Sequence, residues 1–462
     1  MQYHKQGSPI KRIIQKVANN HFVRSVGVLA GGSALSQGIV FLAMPVLTRL
    51  YSPDAFSVMA VYVGLLSVIS PVACLRFEIA IPLPKDDRDG VALLVLSLVS
   101  SAVLSGCIAV ILVFFAVPIC KLLNQPRLLS YIWMLPFGIW FLSSYNALQY
   151  WATRKHLFGM VARTRLERAV AGVGAQVALG FMKMVPGGLI AGKTINSGAG
   201  ILGLTRCVIK QEKGVWGTLD KTVFKRVFAA YDRFPKYSTF ESFFNSAAIQ
   251  FPVILIAAIA IGPEAGYLSL AMMVMQAPMG LIGGSISQVY LSQASTEYRS
   301  GNIGPFTTKI IGNLVKLGVG PILFIGIIAP CFFSIIFGSE WYRAGVLVRW
   351  MTPWFVLQFL SSPISMALHV AGQQRRALLL QMSGLFIRVG LVAFAGAVAT
   401  KHVSEIYALS GIIFYFIYLW LIIVSVGCSC KRLVVQLFQS VPILLAWVVL
   451  GMVFCMIINI SI

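Results

Sequence analysis

The stretch VALLVLSLVSSAVLSGCIAVILVFFAVP, residues 91–118, decides the fold class. It contains no charged residue, and it is apolar all round rather than alternating in polarity. A helix that rises ~1.5 Å per residue crosses a hydrocarbon core of ~30 Å in fewer residues than this. An outer-membrane barrel strand would be a segment of about 10 residues with alternating polarity, so that class is excluded. The stretch predicts a membrane-spanning helix.

Comparable stretches recur along the chain of 462 residues, of which 58% are apolar and 11% are charged. An ordinary soluble domain has about 25% charged residues, so a water-soluble globule is excluded. The sequence predicts an all-α, polytopic membrane protein. We expect thirteen spans, at about 26–47, 56–80, 91–118, 129–151, 163–183, 187–207, 237–262, 265–293, 310–337, 345–371, 376–398, 404–427 and 441–460.

The strong positive charge is explained by membrane orientation. Lys and Arg number 37, against 14 Asp and Glu. With the N-terminus in the cytoplasm and the spans alternating, 27 of the 37 cations fall in cytoplasmic segments and 6 in outer segments. Cytoplasmic loops of membrane proteins carry such an excess. The charge therefore predicts a cytoplasmic N-terminus, and nucleic acid is not an expected partner.

The longest polar connection, 208–236, divides the chain into halves of six spans each. The turns SPDAF (52–56) and GPEAG (262–266) take the same place in each half, which favours a parallel repeat around a central cleft. Inside the connection, KTVFKRVFAAYDRF (221–234) predicts an amphipathic helix lying on anionic headgroups. The predicted domains are a basic N-terminus (1–25), an N-lobe (26–207), the connection (208–236), a C-lobe (237–427), and a basic loop with an extra helix (428–462).

Arg388 is the deepest predicted charge, about twelve positions into its span and therefore ~18 Å from its start. An unpaired Arg at that depth costs at least ~2.5 kcal/mol, so it either lines an aqueous cavity or meets a fixed anionic partner. Arg76 and Glu78 lie two positions apart, which on a helix places them on different faces.

Two predicted spans carry short polar stripes. Glu241, Asn245 and Gln250 share one helix, and Ser33 with Gln37 share another. Such stripes either face each other across a cavity or form hydrogen bonds between helices.

Enzyme motifs are absent from the sequence: it has no P-loop, no HExxH and no GxSxG. Its eight cysteines form no CxxC pair, so neither a disulfide framework nor a zinc site is expected. We expect neither catalysis nor a cofactor or metal.

Several ordered segments resemble a known family. They are LTRLYSPDAFSVMAVY (47–62), SPVACLRFEIAIPLPKDD (70–87), LQYWATRKHLFGMVARTRL (148–166), RFPKYSTFESFFNS (233–246), GSISQVYLSQAS (284–295), FGSEWYRAG (337–345) and PWFVLQFLSSPISMAL (353–368). Together the sequence resembles the Wzx-type polysaccharide biosynthesis flippases of the multidrug, oligosaccharidyl-lipid and polysaccharide exporter superfamily. The resemblance implies two six-helix lobes around a cleft that opens alternately to either side.

The resemblance further implies translocation of an undecaprenyl-diphosphate-linked oligosaccharide, such as an O-antigen repeat unit for lipopolysaccharide, across the bacterial cytoplasmic (inner) membrane. Polymerase and chain-length proteins would be partners. The candidate cations for the diphosphate are Arg388, Arg76, Arg49 and Arg349. The cleft helices of the superfamily map here onto Gln37, Glu78, Lys236, Glu241, Asn245 and Gln276.

Glu241 and Glu78 are the candidates for coupling to H⁺ or Na⁺. Three alternatives stay open from the sequence. They are a flippase for lipid-linked peptidoglycan precursors, a drug or small-cation exporter of the same fold, and an O-antigen polymerase or ligase.

Overall fold

The protein is described by a computed structural model over residues 21–260 and 262–461, and these residues are almost entirely helical. The first half, here called the N-lobe, contains α1 (His21–Leu50), α2 (Pro53–Ala73), α3 (Asp87–Leu122), α4 (Met134–Arg154), α5 (Phe158–Phe181), α6 (Gly187–Gly198) and α7 (Ile201–Gln211). Short 3₁₀ turns at Phe77–Ala80 and Pro126–Leu128 connect its helices.

The connection holds a single turn, Lys213–Trp216, and α8 (Lys221–Ala230). A π-helical turn, Phe234–Ser238, leads into the C-lobe. The C-lobe contains α9 (Thr239–Ile259), α10 (Glu264–Pro278), α11 (Gly284–Arg299), α12 (Ile303–Leu314), α13 (Gly320–Phe337), α14 (Tyr342–Ser361), α15 (Gln374–Val398) and α16 (Val403–Ser425), and α17 (Cys430–Ser461) follows it. The π-helical segments Met279–Gly283 and Val315–Val319 join α10 to α11 and α12 to α13, and short turns lie at Ser339–Trp341, Ser362–Ile364, Ala367–Val370 and Thr400–His402.

The predicted all-α membrane fold is confirmed, and its helices follow the order of the predicted spans. Within the described residues, eight helices are long and apolar enough to cross a membrane. The predicted span 187–207 is instead broken into α6 and α7. The break lies at Gly200, whose φ of +87° favours glycine, and a Cβ there would lie 2.9 Å from the Thr164 Cβ.

A hydroxyl and an acidic side chain cap the starts of two N-lobe helices. The Ser52 side chain accepts from the Ala55 amide before Pro53 at the start of α2. Asp86 accepts from the Arg88 amide at the start of α3, at 3.0 Å. Such caps satisfy amides that no helical carbonyl reaches.

One end of the molecule, here called the basic face, carries the cations of the turns after α2 and α4. They include Lys85, Arg154 and Lys155, and Arg154 donates to the Lys85 carbonyl at 3.5 Å. At this face the buried Glu212 carboxylate accepts from the Lys155 ammonium at 2.8 Å and from the Trp151 indole at 3.1 Å. The pKa of Lys155 is raised: burial opposes the rise, but hydrogen bonds to Asp87 and Glu212 outweigh it. This cluster fixes the end of α7 to the end of α4.

Helix α8 forms as the sequence predicts, but its apolar face packs on the N-lobe rather than on headgroups. Val223 and Val227 are buried in a cluster that includes Phe77. Ion pairs join Arg226 to Asp89 and Arg88 to Asp220. The expectation of a lipid-facing α8 is wrong because the N-lobe offers a complementary apolar surface.

At the end opposite the basic face, here called the opposite face, the two lobes touch. The Trp341 indole of the C-lobe donates to the Thr48 carbonyl of the N-lobe at 3.1 Å, and its ring lies 4.9 Å from the Phe56 ring. Gly266 packs directly on Pro53, because a Cβ on Gly266 would lie 2.1 Å from the Pro53 carbonyl oxygen. The two turns that suggested a repeat therefore meet each other.

Candidate functional site

A cavity of about 830 Å³ lies between the lobes and is called here the central cavity. Its size falls within the range of small-molecule sites, roughly 300–1,000 Å³. Helices α1, α2, α5 and α6 of the N-lobe and α9 and α10 of the C-lobe form its walls. The polar residues among those lining it are Ser33, Ser36, Gln37, Arg165, Arg168, Gln176, Lys193, Asn196, Gln250, Ser269 and Gln276.

Two arginines of α5 and one lysine of α6 supply the positive charge of the cavity. Arg165 donates to the Ser33 hydroxyl of α1. Arg168 donates to the Asn196 backbone carbonyl at 2.7 Å, and its guanidinium carbon lies 4.0 Å from the centre of the Tyr145 ring. Lys193 lines the same cavity from α6, which packs closely on α5: a Cβ on Gly172 of α5 would lie 3.2 Å from the Gly192 carbonyl oxygen of α6. The three cations therefore form one cluster.

This cluster has no acidic counterpart in the described part of the cavity. No Asp or Glu stands among the described lining residues, and none of Arg165, Arg168 and Lys193 forms an ion pair within 4.0 Å in the described structure. Adjacent like charges repel, most strongly in a medium of low dielectric. Intramembrane cations are costly and generally mark a path for substrate or ions. The arrangement suits a multiply charged anion.

At the opposite face the cavity is bounded by a set of contacts that is called here the closure. The closure consists of the Trp341–Thr48 contact and, within the N-lobe, of the Tyr51 hydroxyl, which donates to the Gln176 carbonyl at 2.7 Å. Within the described residues, the side-chain hydrogen bonds between the lobes are Trp341–Thr48 and Gln125–Ala257. Both lie at the opposite face.

Of the polar residues predicted for the cleft, the structure brings Gln37 and Gln276 into the cavity, together with Ser33 and Gln250 of the polar stripes. Others lie elsewhere. Glu241 and Asn245 are exposed outside the cavity lining, and Lys236 is exposed and ion-paired with Asp232 at 2.6 Å.

Arg388 was expected to line the cavity or to pair with an acid, and it does neither in the described structure. Its side chain is 7% exposed within the C-lobe, and its guanidinium carbon lies 4.3 Å from the Phe414 ring centre, 5.4 Å from that of Tyr415 and 5.9 Å from that of Trp354. Aromatic faces stabilise a cation in the absence of an opposite charge. The position of Arg388 along its helix did not predict these aromatic neighbours.

Arg76 and Glu78 were expected to point apart, and this prediction is wrong. Arg76 Nη1 lies 3.3 Å from Glu78 Oε1, and neither residue lines the cavity. The chain here is a turn with positive φ at Leu75 and Arg76, followed by a 3₁₀ turn, so helical spacing does not apply. Arg49 and Arg349 also lie outside the cavity, both exposed, and Arg349 donates to the Ile327 carbonyl at 3.3 Å.

Sequence reasoning missed the three cations that the cavity does contain. Arg165 and Arg168 are among the 27 cations that the sequence analysis assigns to cytoplasmic segments, and Lys193 is not among its candidates. A signal was present, because Arg165, Arg168, Gly172 and Gln176 recur at three- and four-residue intervals and thus share one helix face. The predicted start of that span at 163 placed both arginines within its first two turns, whereas α5 begins at Phe158 and both lie deeper in the helix.

Comparison with known proteins agrees with this architecture. The family described as polysaccharide biosynthesis protein matches residues 46–345. The chain belongs to the polysaccharide biosynthesis protein family. No curated protein sequence matches it.

Two solved structures show the same fold. A lipid II flippase, MurJ, in an inward closed conformation, superposes with a TM-score of 0.70 at 13% identity, over 94% of this chain and 97% of that one. A multidrug resistance MATE family transporter in an inward-facing conformation superposes with a TM-score of 0.61 at 13% identity, over 85% of this chain and 94% of that one.

The expected fold is therefore confirmed, and this member of the polysaccharide biosynthesis protein family is a multi-pass membrane protein. The two solved proteins that share this fold are a flippase and a transporter.

Proposed function

We propose that this protein translocates an isoprenoid-diphosphate-linked oligosaccharide, such as an undecaprenyl-diphosphate O-antigen repeat unit, across the bacterial inner membrane. The observation that carries the proposal is the cluster of Arg165, Arg168 and Lys193 in a cavity whose described lining has no carboxylate. A diphosphate accepts several charge-assisted hydrogen bonds, and guanidinium groups match its oxygens well. The prenyl tail stays in lipid while the headgroup enters the cavity.

The basic face is taken as cytoplasmic, with the N-terminus on that side, because Lys and Arg concentrate in cytoplasmic loops. The described conformation then receives the headgroup from the cytoplasm. Opening of the Trp341 contact and closure at the basic face would release the headgroup on the other side, by alternating access. Polymerase and chain-length proteins would act on the released product.

Coupling of transport to H⁺ or Na⁺ through Glu78 or Glu241 loses its structural support, since neither residue lines the cavity. The membrane potential supplies an alternative driving force. Each negative charge that moves outward across 100 mV, interior negative, gains about 2.3 kcal/mol. A diphosphate with two charges would gain about twice that. A drug exporter that binds cations is disfavoured, because the cavity cations would repel its substrate.

The proposal is tested by ligand binding to the full-length protein in lipid nanodiscs, with undecaprenyl diphosphate as the probe. Lys193→Gln and Arg168→Gln each remove one charge-assisted hydrogen bond, which is worth about 1.5–3 kcal/mol, so affinity should fall about 10- to 150-fold. Lys183→Gln and Arg163→Gln are matched controls, because both side chains are exposed outside the cavity. Wild-type affinity in the two cavity variants would refute the proposal.

A further inference from the structure

The charge of the central cavity is confined to one wall. Arg165, Arg168 and Lys193 lie on α5 and α6. The facing wall, formed by α9 and α10, has no charged residue among its described lining residues, and its polar groups are Gln250, Ser269 and Gln276. One half of the cavity therefore attracts anions, while the other offers only neutral hydrogen-bonding groups.

Gln37 of α1 extends the neutral surface between the lobes. Its side chain is exposed, and its Oε1 lies 3.5 Å from the position that a Cβ on Gly280 of the C-lobe would take. Gln276 is likewise exposed. A glutamine amide presents two donors and one carbonyl acceptor, which match the hydroxyl and acetamido groups of sugars.

The neutral groups of the α9–α10 wall disfavour a charged sugar. A carboxylate or ammonium placed against the α9–α10 wall would lose water and find no opposite charge among the described lining residues. Removing a charge from water without a partner is far more costly than removing a hydroxyl that finds a hydrogen bond. The cations of the other wall do not offset this cost for a carboxylate when a diphosphate already occupies them.

We propose that Gln37, Gln250, Ser269 and Gln276 form a glycan subsite that selects an uncharged sugar next to the diphosphate. This inference rests on the proposed function, and it adds the substrate class: isoprenoid diphosphates whose first sugar is a neutral hexose or N-acetylhexosamine. Uronic acids and free amino sugars at that position are rejected.

The test compares three probes on the full-length protein in nanodiscs: undecaprenyl diphosphate alone, the same lipid carrying N-acetylglucosamine, and the same lipid carrying glucuronic acid. The wild type should bind the N-acetylglucosamine lipid at least about tenfold more tightly than the glucuronic acid lipid. Gln276→Lys places a cation on the neutral wall and should reverse this preference. Gln250→Lys is the second variant, in case the first does not fold.

Gln211→Lys is the matched control, because it adds the same charge at an exposed glutamine outside the cavity. Equal wild-type affinity for the two glycosylated lipids, or an unchanged preference in a folded lysine variant, overturns the glycan subsite alone. Failure of the wild type to bind any of the three probes overturns the proposed function, and the subsite with it.

Discussion

Replacing Trp341 with alanine should shift the protein toward the conformation that is open at the opposite face. Trp341 is 1% exposed and belongs to the C-lobe, yet its indole packs against Phe56 and donates to the Thr48 carbonyl, both in the N-lobe. These contacts exist only while the opposite face is closed. Their loss therefore penalises one conformation and spares the other.

The size of this shift follows from the free energies of the two contacts. An aromatic pair is worth about 0.5–1.5 kcal/mol and a neutral hydrogen bond about 0.5–1.5 kcal/mol. Trp341→Ala should thus lower the free energy that favours the closed conformation by about 1–3 kcal/mol. This loss raises the ratio of open to closed protein about 5- to 150-fold. Trp341→Phe keeps the ring contact and loses the hydrogen bond, so its shift should be about 2- to 10-fold.

Hydrogen–deuterium exchange of the full-length protein in nanodiscs measures this shift through the amides around 48–56 and 262–268, which the closed contact covers. Exchange there should accelerate by the factors above, since the rate follows the open population. Trp350→Ala is the control, because Trp350 is 46% exposed and outside the contact. Unchanged exchange in Trp341→Ala would refute the assignment of this contact as the closure.

Three further outcomes are expected. Gly266→Ala places a Cβ 2.1 Å from the Pro53 carbonyl oxygen and should accelerate exchange at the same amides, whereas no change would show that the turns are not in contact. Arg388→Leu should leave the affinity for undecaprenyl diphosphate unchanged, because Arg388 lies outside the cavity; a loss matching that of Lys193→Gln would contradict this placement. Glu212→Gln breaks a buried ion pair with Lys155 and should lower the melting temperature without altering affinity, and an unchanged melting temperature would contradict the assigned structural role.

The fifth predicted span of each half shows what the sequence could and could not predict about the site. Arg168 on α5 lies beside the Tyr145 ring of α4, and Arg388 on α15 lies beside the Trp354 ring of α14. Both arginines are embedded in helices, and both contact an aromatic residue of the preceding long helix. Only Arg168 reaches the cavity. The sequence analysis favoured Arg388 because the position of a residue along a predicted helix gives its depth in the membrane. The direction of its side chain relative to the other lobe cannot be obtained in this way.

The sequence by itself determined the membrane class, the all-α architecture, the order of the helices and the family. These follow from the length of apolar stretches, which a bilayer requires, and from motifs that lie close together along the chain. It also indicated Gln37 and Gln276 as cleft residues through the superfamily resemblance. The predicted two-lobe repeat still rests mainly on the sequence, although its two turns meet in space.

The tertiary structure alone decided which charges face the cavity. Lys193 and Arg168 stand on different helices and become one cluster only when α5 packs on α6. Arg76 pairs with Glu78 because the backbone turns with positive φ, and α8 turns inward because the N-lobe presents a matching apolar surface. The cavity cluster and the packing of α8 depend on contacts between distant segments, whose free energy no local pattern of residues encodes.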